Sequence, residues 1–305
     1  MQGSLRLHAG VLYVGRHELT AEVASFDLDG RPLETRFRFR DEDAGRSSVD
    51  GIDVDADRRL WIADGAARRV RCFTLFGQEV ASVGGDGVHG GERGAAARDA
   101  RGELGVPVDV RVTGADDDLT LLVASGDRRR HALQVLHPAG GRGRSIPPLG
   151  DPEGRFERIR GLDHVGHELA VCEAGARRVQ IFEGELTGRL VFRFAFEVPE
   201  GLGRPEAVAL VGDGRVVVAT RGDASNVVVF DAGGRLVGRI AQDAADPSAH
   251  AFGDASVDQP SALALDPGSS DRESRLCVLD REGERVQVVS LDGRSFGAIL
   301  GFGGD

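Results

Sequence analysis

The residues in this chain best suited to chemistry are carboxylates and arginines, and their spacing repeats. Asp64 and Arg69 stand five apart, as do Glu173 and Arg178, and Asp280 and Arg285; Arg16 and Glu22 form a reversed pair with one extra residue between them. A carboxylate facing a guanidinium across a tight turn forms a bidentate ion pair, and its recurrence predicts a structural role within a repeated unit. A second set of acids, Asp50, Asp53, Asp109, Asp163 and Glu206, with His164, lies at the starts of apolar runs. If those starts converge, the acids could hold calcium or another hard cation, or be satisfied by neighbouring loops. A third set is basic: Arg68, then Arg128, Arg129, Arg130 and His131, then Arg177. With His89 and His250 on long connections, it is suited to an anionic ligand or an acidic protein surface.

Other reactive groupings are weak. The cysteines Cys72, Cys172 and Cys277 sit singly in apolar runs, without metal-ligand spacing, and read as buried thiols of a reducing compartment. No His-Glu-x-x-His helix or phosphate loop is present. The segment Phe26 to Gly30 resembles a calcium loop superficially, but Asp231 to Gly234 and Ser290 to Gly293 repeat it as a hairpin turn.

The elements that position these residues are strands. The chain has 305 residues and 44 glycines, which implies many tight turns. The segment from Gly51, GIDVDADRRLWIADGAARRVRCFTLFGQEVASVGG, divides into four short strands with β-branched enrichment. The same division recurs from Gly161, Pro205 and Pro260, more loosely from Pro107, and once at the start of the chain. Six units of about fifty residues predict an all-β, six-bladed β-propeller with four antiparallel strands per blade. The blades are expected near residues 1–40, 47–85, 105–143, 158–197, 203–241 and 259–301, in a single domain. Each unit supplies all four of its strands, so no strand exchange is expected at the closure.

The pattern resembles the NHL repeat family, whose blades read roughly P-x-G-I-A-V-D, a strand ending A-D, R-V-x-V-F, and a D-x-x-G turn. Gly51 to Gly85 and Pro260 to Gly301 carry the resemblance best. It implies a propeller that binds protein, RNA or small ligands and less often catalyses. Propeller enzymes of the gluconolactonase type hold a metal with glutamate, aspartate and asparagine. Here the only asparagine, Asn226, aligns with a turn, and the only tyrosine, Tyr13, with a packed strand.

The net charge of −11 disfavours nucleic acid and anionic membranes. Trp61, the only tryptophan, falls in a buried strand, so base-stacking platforms are scarce. No leader or membrane-spanning run is evident, and a cytoplasmic location is expected. Long connections at 84–105, 141–158 and 241–259 fall on the face that also carries the b–c turns. The functional expectation is a non-catalytic binding scaffold for a protein or small anionic ligand on that face, with no cofactor. The alternative is a metal-dependent propeller hydrolase or lyase using calcium or zinc at the channel mouth.

Overall fold

In each unit the first three strands are short and apolar enough to be largely buried, while the fourth is the more exposed. The second strand of blade two, Leu60–Asp64, is buried throughout. The fourth strand of blade one, Pro32–Phe39, exposes every other residue over its last half. That gradient is what a sheet shows when neighbours cover its inner strands and water reaches its outer edge.

The computed structural model describes residues 2–17, 20–42, 44–84, 104–126, 131–138, 144–150, 156–222, 226–243, 256–266, 268, 270–281 and 284–299. It is a six-bladed β-propeller in which successive strands of each blade pair antiparallel in chain order. We call the strands of a blade a to d, from the axis outward. The innermost strands are Gln2–His8, Gly51–Val54, Val106–Thr113, Ile159–Val165, Arg204–Leu210 and Pro260–Asp266. Each adjoins the next around the axis, and the last adjoins the first. Among the described residues the ring therefore closes by blade packing, without an exchanged strand. Blade five departs from the expected count of four, because Ser256–Val257 adds a short parallel strand outside Leu236–Asp243.

Six apolar cores fill the six blade interfaces. Trp61 and Tyr13 belong to two of them, as the sequence predicts. Trp61 also donates its indole N–H to Asp55 at 2.9 Å, which satisfies the one polar atom it buries. The c–d hairpins close as expected: the amides of Gly30, Gly234 and Gly293 bond to the carbonyls of Asp27, Asp231 and Ser290. All three glycines have φ between 79 and 86°, a conformation costly for any residue with a Cβ. Phe26 to Gly30 is thus a turn, and Asp27 accepts the amides of Asp29 and Arg31.

Antiparallel order places the b–c turns and the connections between blades on one face, called the top here. The a–b and c–d turns occupy the bottom.

Candidate functional site at the channel mouth

The b–c stations come first, because they fix the register of everything nearer the axis. Strand pairing aligns Arg16 with Glu22, Asp64 with Arg69, Ser125 with Ala132, Glu173 with Arg178, Thr220 with Asn226, and Asp280 with Arg285. Ion pairs form at Arg16–Glu22 (2.7 Å), Glu173–Arg178 (2.6 Å) and Asp280–Arg285 (3.2 Å). Blade two corrects the expected pairing. Asp64 takes its guanidinium from Arg71 at 3.3 Å, while Arg69 reaches Asp41 at 3.4 Å. Arg71 lies one pleat further along strand c on the same face, and it is buried between Phe39 and Phe73.

That further position was missed in the sequence, although it has a signal. Seven residues after each acid stands a long polar side chain: Arg71, Gln180 or Gln287. Gln180 and Gln287 both donate to the acid of their own blade. The same acids accept the backbone amide of the segment entering the blade, at Ser48, Glu157 and Asp258. Each acid therefore locks an entering connection to the b–c turn, which is a scaffold role.

Counting three residues back from each station along strand b, and crossing to strand a, gives one level of the channel. Its occupants, in blade order, are Arg6, Asp53, Arg111, Asp163, Ala209 and Ala264. Four alternating charges fill two thirds of the ring, and two alanines complete it. Arg6 contacts Asp53 at 2.6 Å and reaches Asp163 at 3.4 Å. Arg111 pairs with Asp109 at 2.7 Å and lies 3.8 Å from Asp163. Asp109 sits one pleat nearer the top than Asp53 and Asp163, two residues before Arg111 in the same strand.

The carboxylates also stitch successive blades. Asp53 accepts the amide of Val112, Asp109 that of Leu162 and Asp163 that of Leu210, each at 2.8 Å. An innermost strand has an unpaired edge, and these acids satisfy donors on the edge of the following blade. Burial holds Asp109 above the usual carboxylate range, opposed by Arg111 and by the amides of Leu162 and Val110.

Above this ring, bulges aim Arg160, Glu206 and Ser261 inward. Glu206 lies between Arg160 at 2.7 Å and Arg221 at 3.3 Å. Asp50 accepts from Ser48 Oγ at 2.5 Å and from the amide of Gly65 at 3.0 Å. Its carboxyl is raised by burial. The cavity bordered by Ser4, Asp50, Asp109, Arg111, Arg160 and Ser261 measures about 30 Å³. That is room for a water molecule or two. Asp53 and Asp163 lie beneath it. His164 lies further still toward the bottom, paired with Leu169, and so does not belong to the entrance. Its Nε2 has no hydrogen-bond partner, and burial lowers its pKa.

As a metal site the arrangement fits poorly. Asp53, Asp109 and Asp163 are already held by arginines and amides, and among the described residues no three His, Cys, Asp or Glu side chains converge. The three cysteines are buried and single; burial raises the Cys72 and Cys277 thiols to about 12 and pushes Cys172 higher still.

The predicted basic surface is only partly described. Arg68 is exposed at its turn. His131 begins strand c of blade three, half-buried and bridged to Phe156. Arg177 turns inward instead: its Nη2 donates to the carbonyls of Pro199, Glu200 and Gly203, clasping the turn that leads into blade five. His89, Arg128, Arg129, Arg130 and His250 lie outside the described residues, as do most of the long connections. No described helix is long and apolar enough to cross a membrane.

No family model matches this chain, and no curated protein matches it. Solved structures do. A gluconolactonase from Xanthomonas campestris is 16% identical with a TM-score of 0.53, covering 90% of this chain and 91% of its own. A chain of a nidogen/laminin complex is 14% identical with a TM-score of 0.59, covering 95% and 93%. Virginiamycin B lyase from Staphylococcus aureus is 12% identical with a TM-score of 0.54, covering 94% and 80%. At such identities the likeness establishes the fold these proteins share with this chain, a six-bladed propeller.

Proposed function

We propose that this chain is a non-catalytic binding propeller of degenerate NHL-type repeats that recognises a protein partner or an anionic ligand on its top face. The observation that carries this reading is the plugged axis. Arg6, Asp53, Arg111 and Asp163 fill the channel with mutually paired charges, and the cavity above them admits about 30 Å³. Among the described residues, that cavity has no room for a substrate the size of a sugar lactone. Recognition then falls to the rim, where the b–c turns and inter-blade connections gather and where Arg68 and Arg158 are exposed. A surface of that kind gains affinity from a few anchors and from complementary charge rather than from a deep pocket. The same fold occurs in a chain of the nidogen/laminin complex, an instance among protein assemblies.

The test is capture of a partner on the immobilised full chain, followed by replacement of Arg68, Arg128, Arg129, Arg130 and Arg158 with serine. At least fivefold weaker binding by the variant is expected, with unchanged thermal unfolding. Calcium or zinc retained at one equivalent after dialysis, and lost on Asp50→Asn, would overturn the reading in favour of a metal-dependent hydrolase or lyase.

A further inference from the structure

Strand d of blade three is Arg144–Ile146, only three residues, whereas its counterpart in blade four runs Val191–Glu197. Pro147 and Pro148 follow directly and end the strand on the top side, since proline has no N–H with which to extend the ladder. Toward the other end of the strand, the core between blades three and four has an opening. The opening is a cavity of about 340 Å³ whose walls include Ile146, Phe182, Leu190 and Phe192. It lies on the outer rim near the bottom, beside the c–d turn of blade four, away from both the channel and the top face.

Three observations point to a ligand. The volume lies within the range of small-molecule sites, which are mostly apolar with a few polar groups at the edge. The wall is a preformed aromatic corner: Phe182 and Phe192 meet edge to face with centroids 5.9 Å apart, and Val191 at the lip is 47% exposed. The edge is cationic, since Arg144 and Arg189 both border the cavity and both are exposed. In a chain of net charge −11, where carboxylates hold most described guanidinium groups, neither of these two has a carboxylate at ion-pair distance among the described residues.

We propose that this cavity binds an amphipathic organic anion, with a flat or branched apolar body against Phe192 and Val191, backed by the buried Phe182, and an acid group held by Arg144 and Arg189. Apolar burial supplies the attraction, and the guanidinium groups select for a carboxylate or sulfonate over a neutral or cationic head. The site is independent of the top-face reading and stands or falls separately from it.

The experiment is fluorescence titration of the full chain with 1-anilinonaphthalene-8-sulfonate. Saturable binding at one equivalent is expected, displaced by 2-naphthoate and not by 2-naphthylmethylammonium. Arg144→Ser with Arg189→Ser should raise Kd at least tenfold without altering thermal unfolding, since both side chains are exposed. Val191→Trp should close the lip and abolish binding; if that variant does not fold, the arginine pair decides alone. Non-saturable binding, equal displacement by the ammonium compound, or an unchanged Kd in the double arginine variant would each overturn the proposal.

Discussion

Blades one to four and blades five and six meet the same axial problem with different chemistry. In the first group the channel station is charged in every blade, and carboxylates of blades two, three and four accept amides from the following blade, the last from Leu210 of blade five. In the second group the station is Ala209 or Ala264, both packed in apolar cores. The ionic link between blades five and six has moved to the bottom periphery, where Arg215 bonds bidentately to Asp271 at 2.6 and 2.8 Å. Buried charge fixes which strands meet and punishes any loss of a partner, whereas alanine packs without demanding one. The charged part is therefore expected to be the brittle part of the ring.

The sharpest way to break the contrast is Arg111→Leu. Its side chain is 7% exposed and serves Asp109, Asp163 and the carbonyls of Val110 and Leu162. Removal strands two buried acids, and breaking a buried pair in this way costs about 3–5 kcal/mol. Urea unfolding should show that loss. A change below about 1 kcal/mol would show that the ring is not a working unit.

Glu173→Gln, set against Thr220→Val, compares the same b–c station in its charged and neutral forms. Glu173 holds Arg178, the amide of Glu157 and Gln180. Thr220 holds the carbonyl of Leu202. Bonds to a charged group contribute about 1.5–3 kcal/mol and neutral ones about 1. The glutamate variant should therefore lose the more stability, and equal losses would dissolve the distinction.

How far these differences could be read from the sequence depends on how locally each is encoded. The blade count and the b–c stations were legible because acid and arginine lie five apart in one hairpin, so spacing reports contact. Arg71 in place of Arg69 was not, since the choice turns on Asp41 entering from blade one. The axial ring was only half visible. Asp53, Asp109 and Asp163 read as a converging set, but pairing puts Arg111, not Asp109, at the level of Asp53 and Asp163. Blades three to six each carry a bulge near the start of strand a and blade two pairs without one, so distance from the strand start does not report level. Arg6 carries no local signal, because its partners lie in blades two and four, far away in the chain.

Acid should reveal a further station in blade one. Glu22 is held below the usual carboxylate range by Arg16, with Arg36 and Arg38 adding to the effect, against the opposing influence of burial. A depressed carboxylate contributes stability that is complete above its unfolded value, about 4.3, and is lost as pH falls through the lower folded value. The wild-type chain should therefore lose stability below about pH 4.3. Glu22→Gln should start less stable at pH 7 and flatten that acid limb in urea titrations. Parallel curves for the two proteins would remove Glu22 from the account.

The peripheral link should give the smallest effect. Arg215 and Asp271 are 27% and 46% exposed in their side chains, so water and salt weaken their attraction. Arg215→Ala is expected to cost at most about 1 kcal/mol despite the bidentate geometry. Most of that difference should vanish in 1 M sodium chloride, where the Debye length falls to about 3 Å. The loss in Arg111→Leu should persist in the same salt, because its carboxylates are shielded by protein. If both variants respond to salt alike, the axial charges are solvated and contribute to the ring no differently from the exposed Arg215–Asp271 link.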